Sequence, residues 1–146
     1  MNKVMLTILK NLENARLVGL CAKQIACESF DEIALAEIEL AAVEAVNNCI
    51  EHTCTDKGDN QVIIEFCLTE QQLAIEMVDE GKAIEAKWLD NLHKALDFDP
   101  DDIENLPEGG MGLKIVRRCM DEVFYENSNN YNHWLLIKYR KDNNMQ

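Results

Sequence analysis

Two runs of alternating residues joined by a short reversal constrain this chain most. Val62, Ile64, Phe66 and Leu68 alternate with Gln61, Ile63, Glu65 and Cys67, Glu70-Gln71 turns the chain, and Leu73, Ile75 and Met77 continue the apolar set. Successive side chains of a strand point to opposite faces, so the pattern predicts an antiparallel hairpin with one strongly apolar face. That face has to be covered by another layer. The preceding sequence supplies the cover: residues 13–29 carry Leu17, Leu20, Cys21, Ala22 and Ile25 at helical spacing, and a second helical pattern runs from Asp31, a suitable N-cap, to about Cys54.

The flanking segments extend the same plan. Residues 3–10 alternate, with Val4, Leu6 and Ile8 opposed to Met5, Thr7 and Leu9, and read as a first strand. Gly58-Asp59-Asn60 marks a turn before the hairpin, which ends at Asp79-Glu80-Gly81. Residues 82–108 hold one short helical pattern (Ile84 to Leu96) and the acidic tract 97–102, and read as a lid or as a solvated surface insertion. A helix from Leu113 to about Asp121 follows, then strands at 122–127 and 133–140 around Asn127-Ser128-Asn129-Asn130, then a fraying tail at 142–146. The order β-α-α-β-β-(lid)-α-β-β predicts an α+β fold. It is a two-layer sandwich in which a mixed, mostly antiparallel sheet carries helices on one face, built as one domain over 1–146.

Charge and cysteine usage narrow the classes of partner. The net charge of −13 opposes direct binding to nucleic acid or anionic lipid, and no apolar run approaches the ~18 residues of a membrane span. With no charged leader either, a cytoplasmic protein is expected. The six cysteines, Cys21, Cys27, Cys49, Cys54, Cys67 and Cys119, form no C-x-x-C pair and are expected to be reduced, mostly buried thiols.

Three segments offer chemistry, each with a plainer alternative. Gly109, Gly110 and Gly112 place three glycines in four positions before a helical pattern, so that backbone N–H groups can converge on an anion; a flexible connector with a helix cap is the other reading. At 100° per residue, Glu37, Glu44, Asn48 and Glu51 fall in one polar stripe of the second helix, opposite Ile38, Ala42, Ala45 and Cys49. Glu44 and Asn48 lie one turn apart and can serve one ligand, Asn48 through a hard carbonyl oxygen suited to Mg²⁺ and Glu44 as a proton acceptor; the alternative is a solvated helix face. Asp79 ends an apolar strand where a carboxylate can receive an exocyclic amine; an acidic hairpin exit is the alternative.

In that order, Glu44-Ala45-Val46-Asn47-Asn48, Asp79-Glu80-Gly81 and Gly110-Met111-Gly112-Leu113 resemble the successive boxes of the histidine-kinase-like, Bergerat-fold ATPase superfamily. Within it the chain most resembles the anti-sigma factor serine/threonine kinases of bacterial partner-switching modules, over nearly its whole length. The resemblance implies ATP and Mg²⁺ as cofactors, a sigma factor and a small antagonist protein as partners, and a homodimer. It implies that Glu44 is the general base, that Asn48 coordinates Mg²⁺, that Asp79 binds the adenine amine, that Gly81 lines the base pocket, and that Gly110, Met111 and Gly112 hold the phosphates. His52 falls where such proteins often carry a histidine; packing at the helix end is its plainer role. Ala83 replaces a second glycine of the adenine box, and Glu108-Gly109 replace a basic and a small hydroxyl residue. Lys82, Lys114 or Arg117 are the cations available in compensation. A nucleotide-dependent module that sequesters a partner without phosphorylating it is the alternative, and a non-nucleotide interaction domain a third.

Overall fold

In the computed structural model, which describes residues 1–53, 60–93 and 111–141, the hairpin is the centre of a five-stranded sheet. The elements run β1 (Asn2–Leu9), α1 (Leu12–Ala26), α2 (Glu32–Thr53), β2 (Gln61–Leu68), β3 (Gln72–Glu80), α3 (Ala86–His93), α4 (Met111–Cys119), β4 (Glu122–Ser128) and β5 (Tyr131–Tyr139). The strand order is β1-β2-β3-β5-β4, and all of these pairings are antiparallel. The expected α+β architecture is therefore present. The Gly58-Asp59 turn, Cys54, most of the lid, Glu108, Gly109, Gly110 and the tail lie outside the described residues.

Register explains the core. Leu6, Ile64, Met77, Trp134 and Tyr125 form one row across the sheet, and Val4, Phe66, Ile75, Leu136 and Val123 form the next. The middle members of both rows are fully buried, whereas Ile63 on the opposite face is exposed. Helices cover this apolar face, and burial of such large side chains contributes roughly 1.5–3 kcal/mol each. A third row, Ile8, Val62, Asp79, Asn132 and Asn127, turns polar at one end of the same face.

Small residues let the helical layer close. Ala41, Ala42 and Ala45 of α2 are buried, and Gly19 of α1 lies so near α2 that an added Cβ would sit 2.5 Å from Val43 Cγ2. Asp31 caps α2 as expected, accepting from Ala34 N–H at 2.8 Å. Lys138 fixes the far end of α4 by donating to the Cys119 carbonyl at 2.6 Å and pairing with Glu37 of α2 at 3.3 Å. A cation at a helix C-terminus satisfies orphan carbonyls and the macrodipole together.

Several boundaries differ from expectation for local reasons. α1 ends at Ala26 rather than near residue 29, where Ser29 N–H turns back to the Ala26 carbonyl. α4 starts at Met111 rather than Leu113, which takes Gly112 into its first turn. β5 starts at Tyr131 rather than 133, because Asn129 and Asn130 alone make the turn with φ of 54° and 66°. Asparagine tolerates this left-handed region, and a two-residue hairpin requires it. The five described cysteines are in no disulfide; Cys49 and Cys119 are buried, Cys21 and Cys67 half-buried, but Cys27 at the end of α1 is exposed.

Candidate functional site

The middle of the polar stripe of α2 is not a solvated face, although Glu51 at its end is exposed. Asn48 is only 5% exposed and Glu44 is half-buried. Asn48 Nδ2 donates to the Glu44 carbonyl one turn earlier, at 2.9 Å. That bond uses one of the two amide N–H groups and leaves Oδ1 as an acceptor it does not engage. Burial pushes the Glu44 carboxyl above its usual range, and the nearby charge of Glu51 adds to the effect.

Asp79 sits inside β3 rather than at its end, opposite Val62 and Asn132. Its side chain is fully buried. Cys49, the residue after Asn48, hydrogen-bonds to it through its side chain, and burial together with Asp79 holds that thiol well above its usual pKa. Lys10, just beyond β1, reaches the same carboxylate: its Nζ lies 2.9 Å from Asp79 Oδ2, and the two side chains are 1% and 0% exposed. Lys10 Nζ also donates to the Glu80 carbonyl at 3.0 Å.

The segment after Asp79 is held from the β4–β5 hairpin. Gly81 is buried; its N–H donates to the Asn130 carbonyl at 2.8 Å, and its carbonyl accepts from Asn127 Nδ2 at 3.2 Å. Asn132 Nδ2 donates to the Lys82 carbonyl at 3.0 Å, while its Oδ1 accepts from Asn127 Nδ2 at 3.0 Å and from the Tyr125 hydroxyl. Tyr125 Oη in turn accepts from Ile84 N–H at 2.8 Å. Residues 81–84 are thus fixed by three side chains of the neighbouring hairpin, in a network whose members satisfy one another.

α4 closes the site from the other side. An added Cβ at Gly112 would lie 2.8 Å from Glu44 Oε2 and 3.3 Å from Asn48 Nδ2, so the first turn of α4 rests directly on both side chains. Two turns of α2 therefore touch the glycine segment through Glu44 and Asn48, and touch Asp79 through Cys49. Met111 opens the same turn and is half-buried; Gly110 lies outside the described residues. Of the cations considered, Lys82 is exposed and contributes its backbone carbonyl, while Lys114 and Arg117 are half-buried on α4.

Five residues of this cluster are missed by the sequence reading: Lys10, Cys49, Tyr125, Asn127 and Asn132. The signal existed for two of them. Continuing the alternation of Val4, Leu6 and Ile8 puts Lys10 on the covered face, and stepping back from Trp134 and Leu136 puts Asn132 there. A polar residue where alternation calls for an apolar one marks a site.

A family model described as a histidine kinase-like ATPase domain matches residues 8–138. Serine-protein kinase RsbW of Bacillus subtilis is 29% identical over 103 residues, covering 68% of this chain and 60% of that protein. Anti-sigma F factor of Clostridium acetobutylicum is 28% identical over 142 residues, covering 94% of this chain and 92% of that protein. Among solved structures, the RsbU and RsbW domains of a Mycobacterium tuberculosis protein superpose with a TM-score of 0.66 at 16% identity, covering 97% of this chain and 34% of that one. The catalytic domain of histidine kinase ThkA superposes with a TM-score of 0.56 at 15% identity, covering 97% and 100%. These two likenesses show the fold. The chain spans about 60% of the length of the Bacillus subtilis relative.

Proposed function

The chain belongs to the histidine kinase-like ATPase domain family, and from that premise we propose that it is an ATP-dependent serine/threonine protein kinase. It acts as an anti-sigma factor in a bacterial partner-switching module and phosphorylates a small antagonist protein. The observation that carries this reading is the convergence on α2: the first turn of α4 lies on Glu44 and Asn48, and Asp79 lies on Cys49. On this reading a base, a cation ligand and an amine acceptor occupy one wall.

The residues present fit Mg²⁺-ATP. Gly112 makes a cradle that a Cβ would fill, and Asn48 keeps a neutral oxygen for a hard cation. Among the described residues no cluster of three or more His, Cys, Asp or Glu could hold a metal alone. Mg²⁺ suits such a site, because it takes few protein ligands and completes its shell with water and phosphate. When bound, it neutralises charge on the transferring phosphoryl group. Asp79 accepts the adenine amine, Gly81 lines the base pocket, and the backbone of Gly110, Met111 and Gly112 holds the phosphates at the start of α4. Glu44 takes the proton of the acceptor serine as its oxygen bonds to phosphorus and ADP leaves. Its raised pKa makes it a better acceptor than an exposed glutamate.

The partners follow from the same reading: a sigma factor, the antagonist, and a second copy of this chain. β1 supports the homodimer, since it is an edge strand with Val4, Met5 and Leu9 exposed. A single cytoplasmic domain of net charge −13 acting on proteins, not on nucleic acid or membrane, completes the proposal; no described helix is long and apolar enough to cross a membrane. The test is transfer of γ-labelled phosphate from ATP to a serine of the cognate antagonist. Tight Mg²⁺-ATP binding without transfer would establish the sequestering module instead, and equal transfer by Glu44→Ala would remove Glu44 as the base.

A further inference from the structure

The polar stripe of α2 has a member that the chemistry proposed above does not use. Glu37 lies seven residues before Glu44, two turns back along the same face. Near it, Lys138 follows the inward-facing Trp134 and Leu136 of β5 with a charge, at a position registered against the buried Leu73. The alternation calls for an apolar side chain there, and lysine is rarely buried unless it is paired. This one is only 11% exposed. Its Nζ donates to the Cys119 carbonyl at 2.6 Å and to Glu37 Oε2 at 3.3 Å, and so ties the last residue of α4 to α2.

The spacings on the two helices match. Gly112 and Cys119 are seven residues apart on α4, as Glu37 and Glu44 are on α2, and at 1.5 Å per residue each interval spans about 10.5 Å. α4 therefore runs antiparallel to α2 with a contact at each end: Gly112 lies on Glu44, and Cys119 is joined to Glu37 through Lys138. Between those ends α4 buries Leu113 and Val116. Apolar burial is non-directional and tolerates a small slide along the helix axis, whereas a hydrogen bond weakens steeply as its geometry is lost. The tie at Lys138 supplies the directional contact at the end of α4 away from the glycines.

We propose that Lys138, acting with Glu37, is a positioning residue: it sets where α4 stands along α2, and so holds the backbone of Met111 and Gly112 in place for the phosphates. The inference rests on the reading of α4 as the phosphate-binding element and of Asp79 as the adenine carboxylate. Asp79 and Gly81 are held separately, by β3 and by the turn end of the β4–β5 hairpin, so loss of the tie should cost the phosphates and spare the base. The test is calorimetric titration of the full chain with Mg²⁺-ATP, with adenosine measured by competition against it, in the wild type, Lys138→Met and Glu37→Ala. Mg²⁺-ATP affinity should fall by about 10- to 100-fold in Lys138→Met, the range for losing a residue that orients a ligand-binding group. The fall should be smaller in Glu37→Ala, which keeps the bond to Cys119. Adenosine affinity should stay within about twofold, as for a site independent of the substitution. The ATP-to-adenosine ratio is the decisive readout, because damage to the fold as a whole moves both ligands together. A ratio unmoved by Lys138→Met overturns the positioning role and leaves the nucleotide reading standing. Wild-type ATP binding no tighter than adenosine, or binding of neither, overturns that reading and this inference with it. If Lys138→Met fails to fold, the ratio in Glu37→Ala decides alone.

Discussion

Gly112→Ala separates the chemistry of this site from the stability of the fold. The new Cβ would stand 2.8 Å from Glu44 Oε2, 3.3 Å from Asn48 Nδ2 and 3.8 Å from Glu44 Cβ. The closest atom is the tip of a flexible side chain, so the carboxylate swings aside at about 0.5–1.5 kcal/mol of rotamer strain. Alanine in place of glycine within a helix returns up to about 1 kcal/mol. The two effects nearly cancel, so the melting temperature should stay within roughly 4 °C of the wild type. Activity should not survive in the same way. With Glu44 displaced and a methyl in the proposed phosphate cradle, phosphate transfer should fall by the 10²–10⁴-fold that a positioned base is worth. A thermal melt and a γ-phosphate transfer assay on one preparation check both halves. Transfer within tenfold of wild type, with the melt unchanged, would refute the placement of Glu44 as base. Destabilisation well above 2 kcal/mol would show that Gly112 serves packing rather than the ligand.

Glu44→Gln should abolish transfer and yet raise the melting temperature slightly. The folded-state pKa of Glu44 is raised, chiefly by burial, so its ionised form costs the fold stability above that pKa. The gain should be under about 1 kcal/mol, since the group is only half-buried and screened. It should vanish as pH falls through the folded pKa to the unfolded one, while wild-type kcat falls over the same range; a gain that persists in acid, or a flat kcat, refutes the assignment. Gly19→Ala should destabilise by about 1–3 kcal/mol, because its Cβ meets Val43 Cγ2 at 2.5 Å and the Glu39 carbonyl at 3.1 Å. An unchanged denaturant midpoint would refute this. Asn132→Ala should cost about 1–3 kcal/mol by stranding Tyr125, Asn127 and the Lys82 carbonyl. It should also weaken Mg²⁺-ATP binding while kcat at saturation holds, and equal loss of kcat would place Asn132 in the chemistry instead.

What was legible in the sequence followed from periodicity. The alternation of Val62 to Leu68 and Leu73 to Met77 names the strands and their buried face, and the spacing of Glu44 and Asn48 puts both on one side of α2. Periodicity could not tell a solvated stripe from a site wall, because that depends on α4, which reaches Glu44 and Asn48 from beyond the lid. Nor could it show pairings between residues far apart in the chain. Lys10 meets Asp79 only because β1 and β3 flank β2, and Asn132 meets the Lys82 carbonyl only because β5 takes the other side of β3.

These long-range contacts share a physical logic that local patterns do not encode. Asp79 lies on the apolar face of the sheet, where an isolated carboxylate would be costly to bury, and the structure answers with a cation from the end of β1 and a thiol from α2. The thiol comes from a position that reads locally as ordinary, a cysteine in an alanine-rich helix, whereas the lysine breaks the apolar alternation of β1. If Asp79 receives the base as proposed, that end of the site is specified by the surroundings of Asp79 as much as by Asp79 itself.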